Sequence, residues 1–184
     1  MSQIPAGLDG VFASIREERK SARMSALTGD KRAHIRTLME ELNRANVLVD
    51  DDTFEVLKHV HCEAPAPDDK IDLLCPEPIT SGEVVVVDLL RVNEMLVQEK
   101  LEWAEISDIP VCLRKYRDKI KPVGMEVLFQ DKSTKVCQLM FILESKKKHW
   151  LLVLGMMTDG RLFLGAEPMV RGVVAGSMIP VRRP

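Results

Sequence analysis

The sequence predicts an α+β protein: an N-terminal helical arm followed by a four- to six-stranded antiparallel sheet packed by two helices. Three observations predict it. Two stretches near the N-terminus carry apolar residues at helical spacing. A β-branched run and two further helix-like segments follow a proline-rich stretch. The C-terminal third holds strand-length apolar runs separated by short polar turns.

In residues 8–27, Leu8, Val11, Phe12, Ile15, Ala22 and Ala26 follow helical spacing, interrupted by Arg19. Arg16, Glu17, Glu18, Lys20 and Arg23 fill the other face. Thr28-Gly29-Asp30 supplies a stop and a new N-cap. Residues 31–48 repeat the pattern with Ile35, Leu38, Met39, Leu42 and Ala45. Asp50-Asp51-Asp52 precedes a short helix, Phe54–His61, whose N-terminal dipole favours acids. Residues 1–61 are therefore expected to be helical. Residues 62–82 contain Pro65, Pro67, Pro76 and Pro78, which exclude a continuous helix or a central strand. They are expected to form a linker or loop.

Residues 83–184 are expected to form the α+β domain. Glu83–Val87 suits a buried strand. Asp88 can cap a helix over 88–106 with Leu89, Val92, Leu96, Lys100 and Trp103 along one stripe. Asp108 and Pro110 start a second helix, 109–121, with Ile109, Leu113, Tyr116 and Ile120 on one face. A four-stranded antiparallel meander follows: Met125–Gln130, Val136–Glu144, Trp150–Met157 and Arg161–Leu164. Asp159-Gly160 is a strong hairpin signal. Val136–Leu143 and Leu151–Leu154 are apolar on both faces, so both faces should be covered. Helices 88–106 and 109–121 are the expected cover of one face, and the N-terminal helices or a partner subunit of the other. The apolar tail after Pro168 suits a final edge strand, or an arm that pairs with a neighbouring molecule.

Charge is unevenly divided along the chain. Lys+Arg against Asp+Glu number 8 and 6 over residues 1–49, 4 and 15 over 50–107, and 14 and 7 over 108–184. A net charge of −2 thus hides a strongly acidic middle and a basic C-terminal part. Opposite fields on one molecule favour self-association or one-sided contact with an anionic surface. Four sets of cations are candidates for binding an anionic partner. They are Arg16, Arg19, Lys20, Arg23, Lys31 and Arg32 near the N-terminus, Arg114, Lys115, Arg117, Lys119 and Lys121, the triplet Lys146-Lys147-Lys148, and the terminal Arg182-Arg183. Aromatics make up only 4% of residues, which argues against base-stacking platforms for single-stranded nucleic acid and for charge-driven, sequence-indifferent contact.

Signals for chemistry are weak. His59, His61, Cys62 and Cys75 lack a zinc knuckle spacing, and a His-x-His pair on a helix points to two sides. His149–Leu154 is similar to the His-bearing strand of papain-like cysteine hydrolases over six residues, with Asp159 to orient the ring and Cys75 as nucleophile. Yet Cys75 and Cys62 lie in proline-rich loop rather than at a helix start, and nothing before either suggests an oxyanion hole. No phosphate-binding glycine loop and no calcium loop is present. No cofactor or metal is implied.

The four cysteines lack a disulfide framework, and neither a secretory signal nor an apolar run of about 18 residues is seen. An intracellular location, cytoplasmic or nuclear, is expected. The functional expectation is a non-enzymatic structural or assembly protein, matrix- or coat-like as in viruses or a subunit of a cellular complex. It would self-associate or hold a fixed protein partner, and touch nucleic acid or an anionic membrane surface. The alternatives are a sequence-nonspecific nucleic-acid-binding module and a cysteine hydrolase.

Overall fold

The computed structural model describes residues 18, 20–21, 23–24, 33–60, 63–77, 79–81, 84–122, 138–169, 172–174 and 177–184. The expected strand Met125–Gln130 and most of the expected helix 8–27 lie outside them. The class is α+β, with four α-helices and three sheets among the described residues.

Helix α1, Ala33–Arg44, buries Ile35, Leu38, Met39 and Leu42, the stripe its spacing requires. Strand β1, Leu48–Val49, leads to helix α2, Asp51–Leu57. The carboxylate of Asp50 caps α2 by accepting the Thr53 N–H at 2.6 Å. Strands β2 (Ile71–Leu74) and β3 (Ile79–Ser81) fall inside the stretch expected to be loop. Both are sheet edges, the position that nearby prolines tolerate.

Strand β4, Val84–Asp88, runs into helix α3, Leu89–Glu99, capped by the Asp88 carboxylate on the Leu90 N–H at 2.9 Å. The helix stops well short of residue 106. Lys100 turns left-handed, at φ 56°, and Leu101 N–H closes on the Leu96 carbonyl at 2.9 Å. Trp103 consequently leaves the expected helical stripe for strand β5, Glu102–Trp103, where its indole N–H reaches Asn93 at 3.3 Å. Helix α4, Ile109–Tyr116, is followed by a 3-10 turn at Arg117–Lys119.

Strands β6 (Leu139–Ser145), β7 (Lys148–Met156) and β8 (Leu162–Pro168) form the expected antiparallel meander. The fourth strand of this sheet is β1, parallel to β8, so the sheet is mixed rather than antiparallel. Strand β9, Gly172–Val174, pairs with β4. The tail after Pro168 thus supplies an edge strand in β9, while strand β10, Ile179–Arg182, runs between β2 and β5 as a central strand. Met178, just before it, exchanges backbone bonds with Gln138 and Met140 beside β6, joining the two sheets.

The two faces of the large sheet are covered differently from the expectation. Leu139, Phe141, Leu152, Leu154 and Leu164 pack with α1, α2 and α4 in one core. Met140, Leu151 and Val153 pack with α3 and β10 in a second. The two helices expected on one face are thus split between both, and the N-terminal helices share a core with α4. Helix α2 is anchored by two buried hydroxyls. Thr53 Oγ1 accepts the Ala166 N–H at 2.8 Å, and Ser145 Oγ donates to the Val56 carbonyl at 3.0 Å.

Between β6 and β7 the chain turns in two residues, Lys146 and Lys147, at φ 51° and 61°. Two positive φ values suit the right-handed twist of a hairpin, but side chains resist them and Asn-Gly is the favoured pair. Lys147→Gly is therefore expected to stabilise the fold by about 1 kcal/mol. A raised urea midpoint at unchanged slope would show it, and a lowered midpoint would contradict the strain.

Candidate functional site

The structure disperses the candidate cations. Arg16, Arg19, Lys31 and Arg32 lie outside the described residues, and Lys20 is partly buried with an interaction of its own. Arg23 is held within the fold: it donates to the Val49 carbonyl at 2.8 Å and to Asp51 at 2.6 Å, and its guanidinium sits 5.4 Å from the Phe54 ring centre. Arg114 pairs with Asp68 at 2.7 Å. Lys115 Nζ donates to the carbonyls of Asp68 and Ile71 at 2.7 and 2.5 Å. Arg183 pairs with Asp72. Two acids of the middle, Asp68 and Asp72, are thus matched by cations of the basic C-terminal part of the same chain.

Arg182 and Asp108 form the tightest of these contacts. Asp108 is fully buried. Arg182 Nε donates to its Oδ2 at 2.7 Å and Nη2 to its Oδ1 at 3.1 Å, a two-pronged contact. The backbone N–H groups of Ala66 and Glu105 complete the set at 2.7 and 2.9 Å. This carboxylate raises the Arg182 pKa, first through its hydrogen bonds. Asp108 was expected to start helix α4; its side chain instead serves the loop at 66, the turn at 105 and the last strand.

The cations left outward form two groups. Arg117, Lys119 and Lys121 are exposed at the exit of α4, and Pro122 bridges to Met156 at one end of β7. Lys146, Lys147 and Lys148 are exposed at the other end of the same strand. At about 3.3 Å per residue the two groups are roughly 26 Å apart along β7.

The lysine hairpin borders a cleft of about 430 Å³. The hairpin side contributes Lys146 and Lys148, helix α2 contributes Asp52 and Glu55, and Val56, Trp150 and Ala166 lie between. Glu55 is bridged to Lys58 at 2.5 Å, and that bond chiefly lowers its pKa, with Lys146 adding a smaller pull. The indole N–H of Trp150 is buried and finds no hydrogen-bond partner among the described residues. An orphaned donor of this kind costs about 1–3 kcal/mol. Residue type alone gave no sign of it, because the other tryptophan is satisfied by Asn93.

The hydrolase residues gain no support from the geometry. Asp159 is held by Arg161, whose side chain and backbone N–H lower its pKa. His149 is exposed on β7 opposite Glu144, and Cys75 is exposed beyond β2. Cys112 is fully buried, and burial pushes its thiol up to about 12. Among the described residues no three His, Cys, Asp or Glu side chains are grouped to hold a metal; His61 and Cys62 lie outside them. No described helix is long and apolar enough to cross a membrane. No protein-family model, curated protein or solved structure matches this chain.

Two outcomes follow from these placements. Asp108→Ala leaves Arg182 without its main partner and is expected to cost about 3–5 kcal/mol by denaturant titration. Adding Arg182→Met should recover part of that loss, whereas simple additivity would mean the two do not act as a pair. In native protein, iodoacetamide is expected to label Cys75 and spare Cys112, which reacts only after denaturation. Native labelling of Cys112, mapped by mass spectrometry, would contradict its burial.

Proposed function

We propose that this chain is a non-enzymatic assembly protein, a matrix- or coat-like building block or a subunit of a cellular complex, that works by self-association. The observation that carries this reading is the outer face of α3. Leu90 and Val97, two turns apart on that helix, are 57% and 71% exposed. Seven residues bring side chains back to nearly the same side, so the two form one apolar stripe. Glu94 lies beside it, and Glu77, Asp88 and Arg91 line an adjoining groove, leaving this surface acidic.

The complementary surface is the lysine hairpin. Lys146-Lys147-Lys148 carries three positive charges at one end of the sheet, while α3 covers one of its faces. A contact between the acidic, apolar face of one copy and the hairpin of the next is heterologous, the type that builds rings or filaments. The same lysines would meet other anionic partners. A nucleic-acid reading draws less support, because the two outward cation groups sit at opposite ends of β7 rather than in one patch.

Size-exclusion chromatography with light scattering tests this. At low salt the mass is expected to exceed the 20.8 kDa of one chain, and to fall to that value at high salt. Leu90→Glu with Val97→Glu should give monomer at both salts. A monomer of the unaltered chain at every salt and concentration would overturn the reading.

A further inference from the structure

The apolar stripe on α3 has an aromatic neighbour. Asn93 stands three residues after Leu90 and four before Val97, spacings that make helical neighbours, so the three side chains form one ridge. The indole N–H of the half-buried Trp103 donates to Asn93 Oδ1 at 3.3 Å, which holds the ring beside that ridge. Its strand, β5, is an edge of its sheet. Across α3, its cap and β5, Asp88, Glu94, Glu99 and Glu102 outnumber Arg91 and Lys100. An indole face attracts a cation, and surrounding acids strengthen the attraction. The cation–ring contacts among the described residues, Arg23 on Phe54 and Lys115 on Tyr116, lie elsewhere, so no described cation of the same chain sits over Trp103.

We infer that Trp103 is the aromatic anchor of the self-association surface, and that it receives Lys147 from the hairpin of a second copy. The inference rests on the self-association reading and adds to it the contact that selects the partner. Lys147 stands exposed in a two-residue turn, flanked by Lys146 and Lys148, so three ammonium groups project from one narrow tip. Charge complementarity picks this occupant for an acidic face. Lys147 places its ammonium over the Trp103 ring, while Lys146 and Lys148 face Glu94 and Glu102. The methylene stems of the lysines lie on Leu90 and Val97, so the apolar and the charged parts of the face are both met. Arg117, Lys119 and Lys121 fit this face less well, because they follow a 3-10 turn behind α4 instead of projecting from a hairpin tip.

Light scattering of the full chain over a concentration series at low salt gives the association constant that tests the inference. Trp103→Leu and Lys147→Gln are each expected to weaken association about fivefold or more. The double variant should lose little beyond the larger single loss, and Lys147→Arg should keep the affinity, since a guanidinium also stacks on an indole. If half-buried Trp103→Leu fails to fold, Lys147→Gln, on an exposed side chain, carries the test. Each deficient protein keeps one intact surface, so Trp103→Leu mixed with Lys147→Gln should form a dimer of two 20.8 kDa chains that neither forms alone. In a Trp150→Phe chain, where Trp103 is the one remaining tryptophan, emission should shift along the same association curve. Association that Trp103→Leu and Lys147→Gln leave intact, or that falls only with Lys119→Gln and Lys121→Gln, overturns the inference and leaves self-association standing. A monomer of the unaltered chain at every concentration overturns both.

Discussion

The Asp108 carboxylate is the constraint on which the placing of β10, the proline-rich segment and α4 depends. A charge taken wholly out of water carries a penalty of several kcal/mol unless its lone pairs are filled. Here four donors fill them: two from Arg182 and the backbone N–H groups of Ala66 and Glu105. Those donors belong to three separate stretches of chain. The proline-rich segment, the turn before α4 and the last strand must therefore arrive together or leave the charge unmet. Arg182 can reach Asp108 only when β10 lies beside β5, with Val181 opposite Trp103 and Arg182 opposite Glu102. A one-residue slip would turn Arg182 to the other face of the strand and strand the carboxylate. The pair thus acts more on register than on net stability, which buried pairs supply only weakly.

The same seam joins the acidic middle to the basic C-terminal part at a few points. Asp68 takes Arg114, Asp72 takes Arg183, and Lys115 and Tyr116 cap the carbonyl of Ile71. The acidic middle is the side of the seam that the basic C-terminal part closes. Exposed pairs such as Arg114 with Asp68 each contribute little, about 0–1 kcal/mol. Their effect is selective, since they favour this pairing of segments over others. The lysine hairpin and the apolar stripe on α3 lie outside this seam.

Much of the architecture was legible because its causes are local. The stripe Ile35, Leu38, Met39 and Leu42 fixes α1, Asp50 and Asp88 cap the helices that follow them, and Asp159-Gly160 turns β7 into β8. The misplacements all have non-local causes. Strand β10 is central because β2 and β5 pair with it, and those strands lie about 80 to 110 residues earlier in the chain, one of them only two residues long. Asp108 resembles a helix cap in sequence; its burial follows from Arg182, 74 residues away. Helix α3 ends at Lys100 without the glycine that usually marks such a stop, so no residue announced that Trp103 would leave it. The cleft was invisible for the same reason: its lysines were legible as a basic triplet, but α2 and Ala166 come to them only through Thr53 and Ser145.

Two departures from local rules fall in one hairpin and its adjoining strand. Lys146 and Lys147 hold a backbone conformation that glycine or asparagine adopts more easily, and Trp150, two residues beyond the hairpin turn's end at Lys148, buries an indole N–H without an acceptor. Elsewhere buried polar groups are met: Thr53 and Ser145 by backbone, Asp108 four times over. Positive φ also occurs singly at Asn46 and at Lys100, each where a helix ends; in the hairpin it occurs at two successive residues. Lysine at the turn supplies charge that Asn-Gly could not. Tryptophan rather than phenylalanine supplies a donor that packing alone does not need. The two costs are of different kinds: the first lies in the backbone of Lys146 and Lys147 and would be removed by glycine, the second lies in the Trp150 side chain and would be removed by phenylalanine.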